Sequence, residues 1–152
     1  MRKLVLALST AAALATVGVA FAQGSPADKA IKYRQGVYGI MGWNFGPMAA
    51  MVKGEKPYDK EAFARHAKNV AAVGPMALEG FGPGTDKGAA ETKAKPEIWT
   101  KMDDFKSKMT KMNDEATKLA AISQTGTLDE IKKQFGATGA TCKACHDDYK
   151  NK

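Results

Sequence analysis

Apolar residues recur at steps of three and four along most of the chain, and no stretch alternates apolar with polar residues for long enough to predict a strand. The clearest stripe opens at Pro96, a favoured first-turn residue, and passes through Trp99, Met102, Phe105, Met109, Met112, Ala116, Leu119 and Ile122. A second, over residues 26–52, carries Ile31, Arg34, Tyr38, Met41, Phe45, Met48 and Val52 on one face. A shorter one follows Asp59, a predicted N-cap, through Phe63, Ala67, Val70 and Val73, until Gly74-Pro75 disturbs it. The last opens on Thr127-Leu128-Asp129-Glu130, a capping-box pattern, and continues through Ile131 and Phe135, weakened locally by Gly136 and Gly139. Four helices and an all-α fold are expected.

The connections set the topology. Residues 53–58 and 123–126 are short links, which make the helices on either side antiparallel neighbours. Residues 79–95 differ: EGFGPGTDKGAAETKAK has no helical or strand period and is long enough to be a crossover that covers something. Gly80, Gly82, Gly84 and Gly88 match neither phosphate-binding glycine pattern. There is no internal repeat.

At the N-terminus, Arg2 and Lys3 precede an apolar run that closes on Ala20-Phe21-Ala22, which predicts a secretory signal over residues 1–22 cleaved before Gln23. The run is rich in alanine and contains Ser9 and Thr10, so it reads as a leader rather than a membrane anchor. Residues 23–152 then form one domain with no further membrane association. Losing Arg2 and Lys3 lowers the formal net charge from +7 to +5. The remaining excess is carried largely by lysines on polar helix faces, which suit a solvated surface or a docking patch for an acidic redox partner. Nucleic acid is not an expected partner of an exported chain.

The chemistry is concentrated near the C-terminus. The chain's two cysteines fall in Cys142-Lys143-Ala144-Cys145-His146, a C-x-x-C-H motif that chance would assemble from two cysteines and two histidines roughly 2 times in 10,000. Two thiols three apart can form thioethers to the vinyl groups of a haem, and the next histidine can present a neutral imidazole to its iron. On a helix these positions share one face. A thioredoxin-type site requires a βαβ setting that the chain lacks, and a structural zinc site would have to recruit the distant His66. His66 lies off the Phe63–Val70 stripe and reads as an exposed or satisfied surface residue. Covalent haem attachment takes place outside the bacterial cytoplasmic membrane, so the periplasm is the expected compartment.

A four-helix pattern with this motif in the last helix resembles the cytochrome c′ family. The resemblance also rests on Lys32-Tyr33-Arg34-Gln35, Lys53-Gly54-Glu55-Lys56-Pro57-Tyr58-Asp59, Phe81-Gly82-Pro83-Gly84-Thr85, Lys95-Pro96-Glu97-Ile98-Trp99 and the stretch from Cys142 to Asp147. It implies an antiparallel, left-handed four-helix bundle holding one covalently bound haem c, with a five-coordinate high-spin iron on His146 and a homodimer packed through the first two helices. In low-spin relatives a methionine of the first helix supplies a sixth ligand, and that position falls on Tyr38. A neutral phenol is a poor iron ligand, so Tyr38 is expected to cap the distal face. The resemblance further implies haem contacts for Arg34, Gln35 and Phe81, and Met41 can line the same pocket. Lys150 departs from the arginine common at its position.

The expected function is ligation of diatomic gases, nitric oxide above all and carbon monoxide as well, together with an ability to carry electrons. A dedicated electron-transfer cytochrome is the alternative. Enzyme activity is not expected, because no distal histidine with an acid–base partner is available. Gly36, Gly39 and Gly42, with Trp43, mark a flank of the first helix that suits either a close helix–helix dimer contact or relief of crowding against the second helix.

Overall fold

The computed structural model describes residues 24–152, so the leader expected over residues 1–22 lies outside the described residues. Helix α1 spans Pro26–Lys53. Its start is fixed by a capping box in which Ser25 Oγ accepts from the Asp28 amide while the Asp28 carboxylate accepts from the Ser25 amide. Its end is fixed by Gly54, at φ 75°, a left-handed conformation that costs a residue with a Cβ far more. Helix α2, Lys60–Val73, is capped by Asp59, which accepts from the Ala62 amide at 3.0 Å.

The Gly74-Pro75 interruption does not end helical structure. Pro75 has no N–H to continue the α ladder, and the chain tightens instead into a 3₁₀ segment over Gly74–Phe81. The crossover therefore begins after Phe81 rather than at residue 79.

The helix expected from Pro96 onward is in fact two. A single turn, α3 (Glu97–Thr100), is separated from α4 (Met102–Thr125) by Lys101 at φ −124°, ψ 41°. The break accompanies two anchors in the short turn: Ile98 is buried, and the Trp99 indole donates to the Gly82 carbonyl at 2.9 Å. Helix α5 spans Leu128–Tyr149 behind the expected Thr127/Glu130 capping box and runs through Gly136 and Gly139 without a break.

Helix α1 packs on α2, α2 on α4 and α4 on α5, the arrangement of an antiparallel four-helix bundle. Its centre is filled by Ile31, Met48, Phe63, Ala67, Phe105, Leu119 and Ile131, all almost fully buried. Burying such side chains contributes roughly 1.5–3 kcal/mol each. The buried line of α1 runs Ile31, Arg34, Val37, Met41, Asn44, Met48 and Met51, so Val37, Asn44 and Met51 take the innermost places expected of Tyr38, Phe45 and Val52. Those three are half-buried, and Tyr38 and Phe45 owe their accessibility to a cavity beside them.

The cavity lies between α1 and α5. The two helices meet at Phe45 and Phe135, stacked with ring centroids 4.4 Å apart. Beyond that contact the space between them is closed from the side by the crossover. Side chains of α1 hold the 3₁₀ segment and the crossover: Tyr33 donates to Glu79 (2.7 Å), Gln35 Nε2 to the Glu91 carbonyl (2.8 Å), and Asp28 accepts from the Ala90 amide (2.8 Å). Its far end is tied to the C-terminus by an antiparallel bridge between Ala94 and Lys150, with the Lys95 amide donating to the Tyr149 carbonyl and the Asn151 amide to the Lys93 carbonyl.

Candidate functional site

All eight residues singled out from the sequence line this one cavity of about 590 Å³: Arg34, Gln35, Tyr38, Met41, Phe81, Cys142, Cys145 and His146. Its size falls within the range of cofactor and small-molecule sites. The C-x-x-C-H motif sits in the last two turns of α5, where positions i, i+3 and i+4 share the face turned to the cavity.

Both cysteines are free thiols, Cys145 buried and Cys142 half-buried. Burial raises the pKa of each, that of Cys145 to about 11, so neither is a thiolate poised for redox exchange at neutral pH. His146 shows the opposite sign. Partial desolvation on the cavity wall, and then the Lys150 ammonium nearby, lower its pKa and favour the neutral imidazole that a metal requires. The donor set fits a covalently bound haem: two thiols for thioether bonds, one neutral imidazole for the iron, and a largely apolar wall for the macrocycle.

That wall is aromatic on one side. Phe81 ends the 3₁₀ segment and is the hub, with ring centroids 4.8 Å from Phe105, 5.7 Å from Trp99 and 6.4 Å from Tyr38. Tyr38 turns its hydroxyl onto Met109, donating to Sδ at 3.7 Å. Burial pushes its pKa far above that of an ordinary phenol, so it stays protonated. Met41 is buried in the core at the edge of the same space.

Arg34 is 2% exposed, and its guanidinium is occupied by the 3₁₀ segment and the crossover: Nη1 donates to the Gly80 and Thr85 carbonyls at 2.9 and 2.8 Å, and Nη2 to Thr92 Oγ1 at 3.2 Å. Gln35 is exposed on the cavity rim, with its amide nitrogen given to Glu91. His66 is absent from the lining. Its Nδ1 lies 3.0 Å from Asn44 Oδ1, in a partly buried polar contact between α2 and α1 that Asn69 also joins.

Tyr149, Phe105, Met109 and the segment from Thr92 to Ala94 also line the cavity without having been expected there. Tyr149 carried a usable signal, because it follows His146 by three and therefore shares its helix face. Its ring packs edge to face on Phe105 (5.4 Å, 83°) and its hydroxyl donates to Asp104 at 2.5 Å. Thr92 to Ala94 carried none, since they are held at the cavity by distant partners, Arg34 on Thr92 and the bridge from Ala94 to Lys150.

A helical bundle with a haem-attachment motif facing an aromatic cavity between its first and last helices defines a class of c-type cytochrome, and comparison with known proteins narrows the class. The family model described as Cytochrome C′ matches residues 29–150. Cytochrome c′ from Rubrivivax gelatinosus is 40% identical over 127 residues, covering 84% of this chain and 97% of the relative. The solved structure of cytochrome c prime from Shewanella frigidimarina superposes with a TM-score of 0.79 at 44% identity, covering 83% of this chain and 97% of the other. A nitric oxide complex of a variant cytochrome c prime from Alcaligenes xylosoxidans matches with a TM-score of 0.75 at 37% identity, over 83% of this chain and 96% of that one. The chain belongs to the cytochrome c′ family, whose members carry covalently bound haem c.

Proposed function

We propose that this protein is a periplasmic, non-enzymatic haem protein whose five-coordinate iron binds diatomic gases, nitric oxide foremost and carbon monoxide as well, and which can also pass single electrons. Haem, when bound, supplies the iron and its open coordination position. The chain supplies Cys142 and Cys145 as covalent tethers and His146 as the one axial ligand, and it surrounds the remaining face with side chains that do not ligate.

The observation that carries this reading is Tyr38. It occupies the position from which a methionine would give a sixth ligand, it is held protonated by burial, and its hydroxyl is engaged by Met109. The largely apolar wall around it leaves room for a small neutral molecule. That a nitric oxide complex has been solved for a relative from Alcaligenes xylosoxidans supports the same chemistry here. The periplasmic assignment rests on the leader pattern over residues 1–22.

The test is the optical spectrum of the ferrous holoprotein before and after carbon monoxide or nitric oxide. A five-coordinate high-spin spectrum that converts on adding either gas supports the reading. A six-coordinate low-spin spectrum indifferent to both gases would assign the protein to dedicated electron transfer instead.

A further inference from the structure

No side chain of residues 82–93 is buried, and no apolar side chain of that stretch packs against the hydrophobic core. What holds this part of the crossover is a set of hydrogen bonds. The Trp99 indole takes Gly82 at one end, and the bridge between Ala94 and Lys150 fixes the other. Between these ends Arg34 takes Thr85 and Thr92, Gln35 takes Glu91, and Asp28 takes Ala90. Segments with few buried apolar contacts open at a free energy well below that of global unfolding.

Asp28 is 8% exposed and divides its carboxylate between two tasks. Oδ2 accepts from the Ser25 amide and hydroxyl at 3.1 and 2.8 Å and so fixes the start of α1, while Oδ1 accepts from the Ala90 amide at 2.8 Å. The Ala90 amide, and then the Ser25 hydroxyl, hold its pKa below the usual carboxylate range, so it stays an ionised acceptor at neutral pH. Gly88 packs directly on this carboxylate: a Cβ there would collide with Oδ1 and lie 3.3 Å from Ile31 Cδ1. Asp28, Gly88 and Ala90 are all absent from the cavity lining, so their contact does not depend on what fills the cavity.

We propose that residues 82–93 form a lid on the side of the cavity that opens locally between its two tied ends, giving small molecules a second way in, and that Asp28 is the latch that keeps it shut. Lifting the lid withdraws Thr92 and Lys93 from the cavity lining and leaves the aromatic wall around Phe81 in place. An ionised carboxylate suits a latch, because hydrogen bonds to a charged acceptor are stronger than those between neutral groups. Its second oxygen, engaged in the cap of α1, keeps it in position when the lid lifts. The use of the lid as an entrance rests on the gas-binding reading, whereas its opening does not.

Hydrogen–deuterium exchange of the holoprotein, resolved to single amides, tests the latch, and stopped-flow binding of carbon monoxide tests the entrance. Gly88 has no positive φ, so Gly88→Ala brings no backbone strain and acts through its contact with Asp28. It is expected to speed exchange of the Ala90 amide by about tenfold, while the Lys95 and Asn151 amides of the bridge and the amides of the helices stay as protected as in the wild type. Carbon monoxide association should rise by about threefold, less than the exchange effect because the route past Tyr38 is unaltered. Ser25→Ala is the control: it weakens the cap of α1 but leaves the Ala90 bond, so it should lower the melting temperature with Ala90 exchange within about twofold of the wild type. Unchanged Ala90 exchange in Gly88→Ala, equal acceleration at the bridge amides, or equal acceleration in Ser25→Ala overturns the lid. Faster exchange without faster association overturns the entrance and the proposal with it. A wild type that binds no carbon monoxide would sink the gas-binding reading, and the exchange comparison would then decide the lid by itself.

Discussion

Tyr38 and Phe81 meet edge to face, with ring centroids 6.4 Å apart and planes inclined by 68°, and so join the middle of α1 to the last residue of the 3₁₀ segment. The contact exists because Pro75 converts what would be a longer α2 into a tighter helix that delivers Phe81 to the cavity. Phe81 in turn touches Phe105 and Trp99, so the position of Tyr38 is set from three elements at once.

If Tyr38 and Phe81 close the distal side, shortening Tyr38 opens it. Tyr38→Ala is expected to accelerate carbon monoxide association with the ferrous protein by about tenfold, equivalent to removing about 1.4 kcal/mol of steric barrier. Tyr38→Phe keeps the ring, loses only the hydrogen bond to Met109 and should bind near the wild-type rate. Stopped-flow measurement after flash mixing decides this, and identical rates in all three proteins would place Tyr38 off the ligand path.

Met41 also faces the cavity, and a thioether there could compete for the iron. Its 9% exposure and its packing within the core cluster point to a structural role. Met41→Ala should leave the ferric absorption spectrum unchanged and lower unfolding stability by about 2 kcal/mol. Loss of a sulfur-to-iron charge-transfer band in the variant would contradict this and make Met41 a ligand.

The haem-attachment residues were legible because their chemistry demands three residue types at fixed local spacing, and a helix does the rest. The four helices were legible for the same reason: capping at Asp59 and Thr127 and the apolar periods are local properties. What the sequence could not display was set by distant partners. Nothing near Lys101 forecasts the break between α3 and α4, which goes with the Trp99 indole reaching Gly82. Which face of α1 is innermost, with Val37 and Asn44 ahead of Tyr38 and Phe45, depends on where the cavity lies, and Thr92 to Ala94 enter the lining through the hydrogen bond from Arg34 and pairing with the C-terminus.

Tyr149, packed on Phe105, offers a pH test of the cavity wall. Its hydrogen bond to Asp104, and then its burial, raise its pKa to about 12 from an ordinary value near 10. A raised pKa means that the folded state holds the phenol proton more tightly than the unfolded chain. The contribution is therefore fully present below about pH 10 and is lost as pH rises toward 12. Tyr149→Phe should cost about 1–2 kcal/mol at neutral pH, and the gap between the two proteins should narrow above pH 10. Chemical denaturation at pH 7 and pH 11 measures both, and a gap that widens with pH would refute the assignment.

Gly36, Gly39 and Gly46 share the outer face of α1 with Ile40 and Trp43, which are 50% and 80% exposed. A Cβ built on any of these glycines, or on Gly42, meets nothing within 4 Å, so they do not relieve crowding against α2. Each glycine in a helix interior costs roughly 1 kcal/mol relative to alanine, and a face combining that cost with an exposed indole suits the close approach of a second copy. Gly39→Leu separates the two effects. It should fold at least as stably as a monomer, because the space is open and leucine favours helix, while its bulk holds a partner helix away. Sedimentation of the wild type is expected to show a dimer that Gly39→Leu and Trp43→Ala both weaken, and a wild-type monomer at high concentration would refute the interface. Since Tyr38 lies on the same helix, a gas that displaces it should weaken the dimer and, reciprocally, the dimer should oppose the gas. Repeating the sedimentation under carbon monoxide tests that link alone: a shift toward monomer supports it, and an equally tight dimer refutes the coupling while leaving the interface standing.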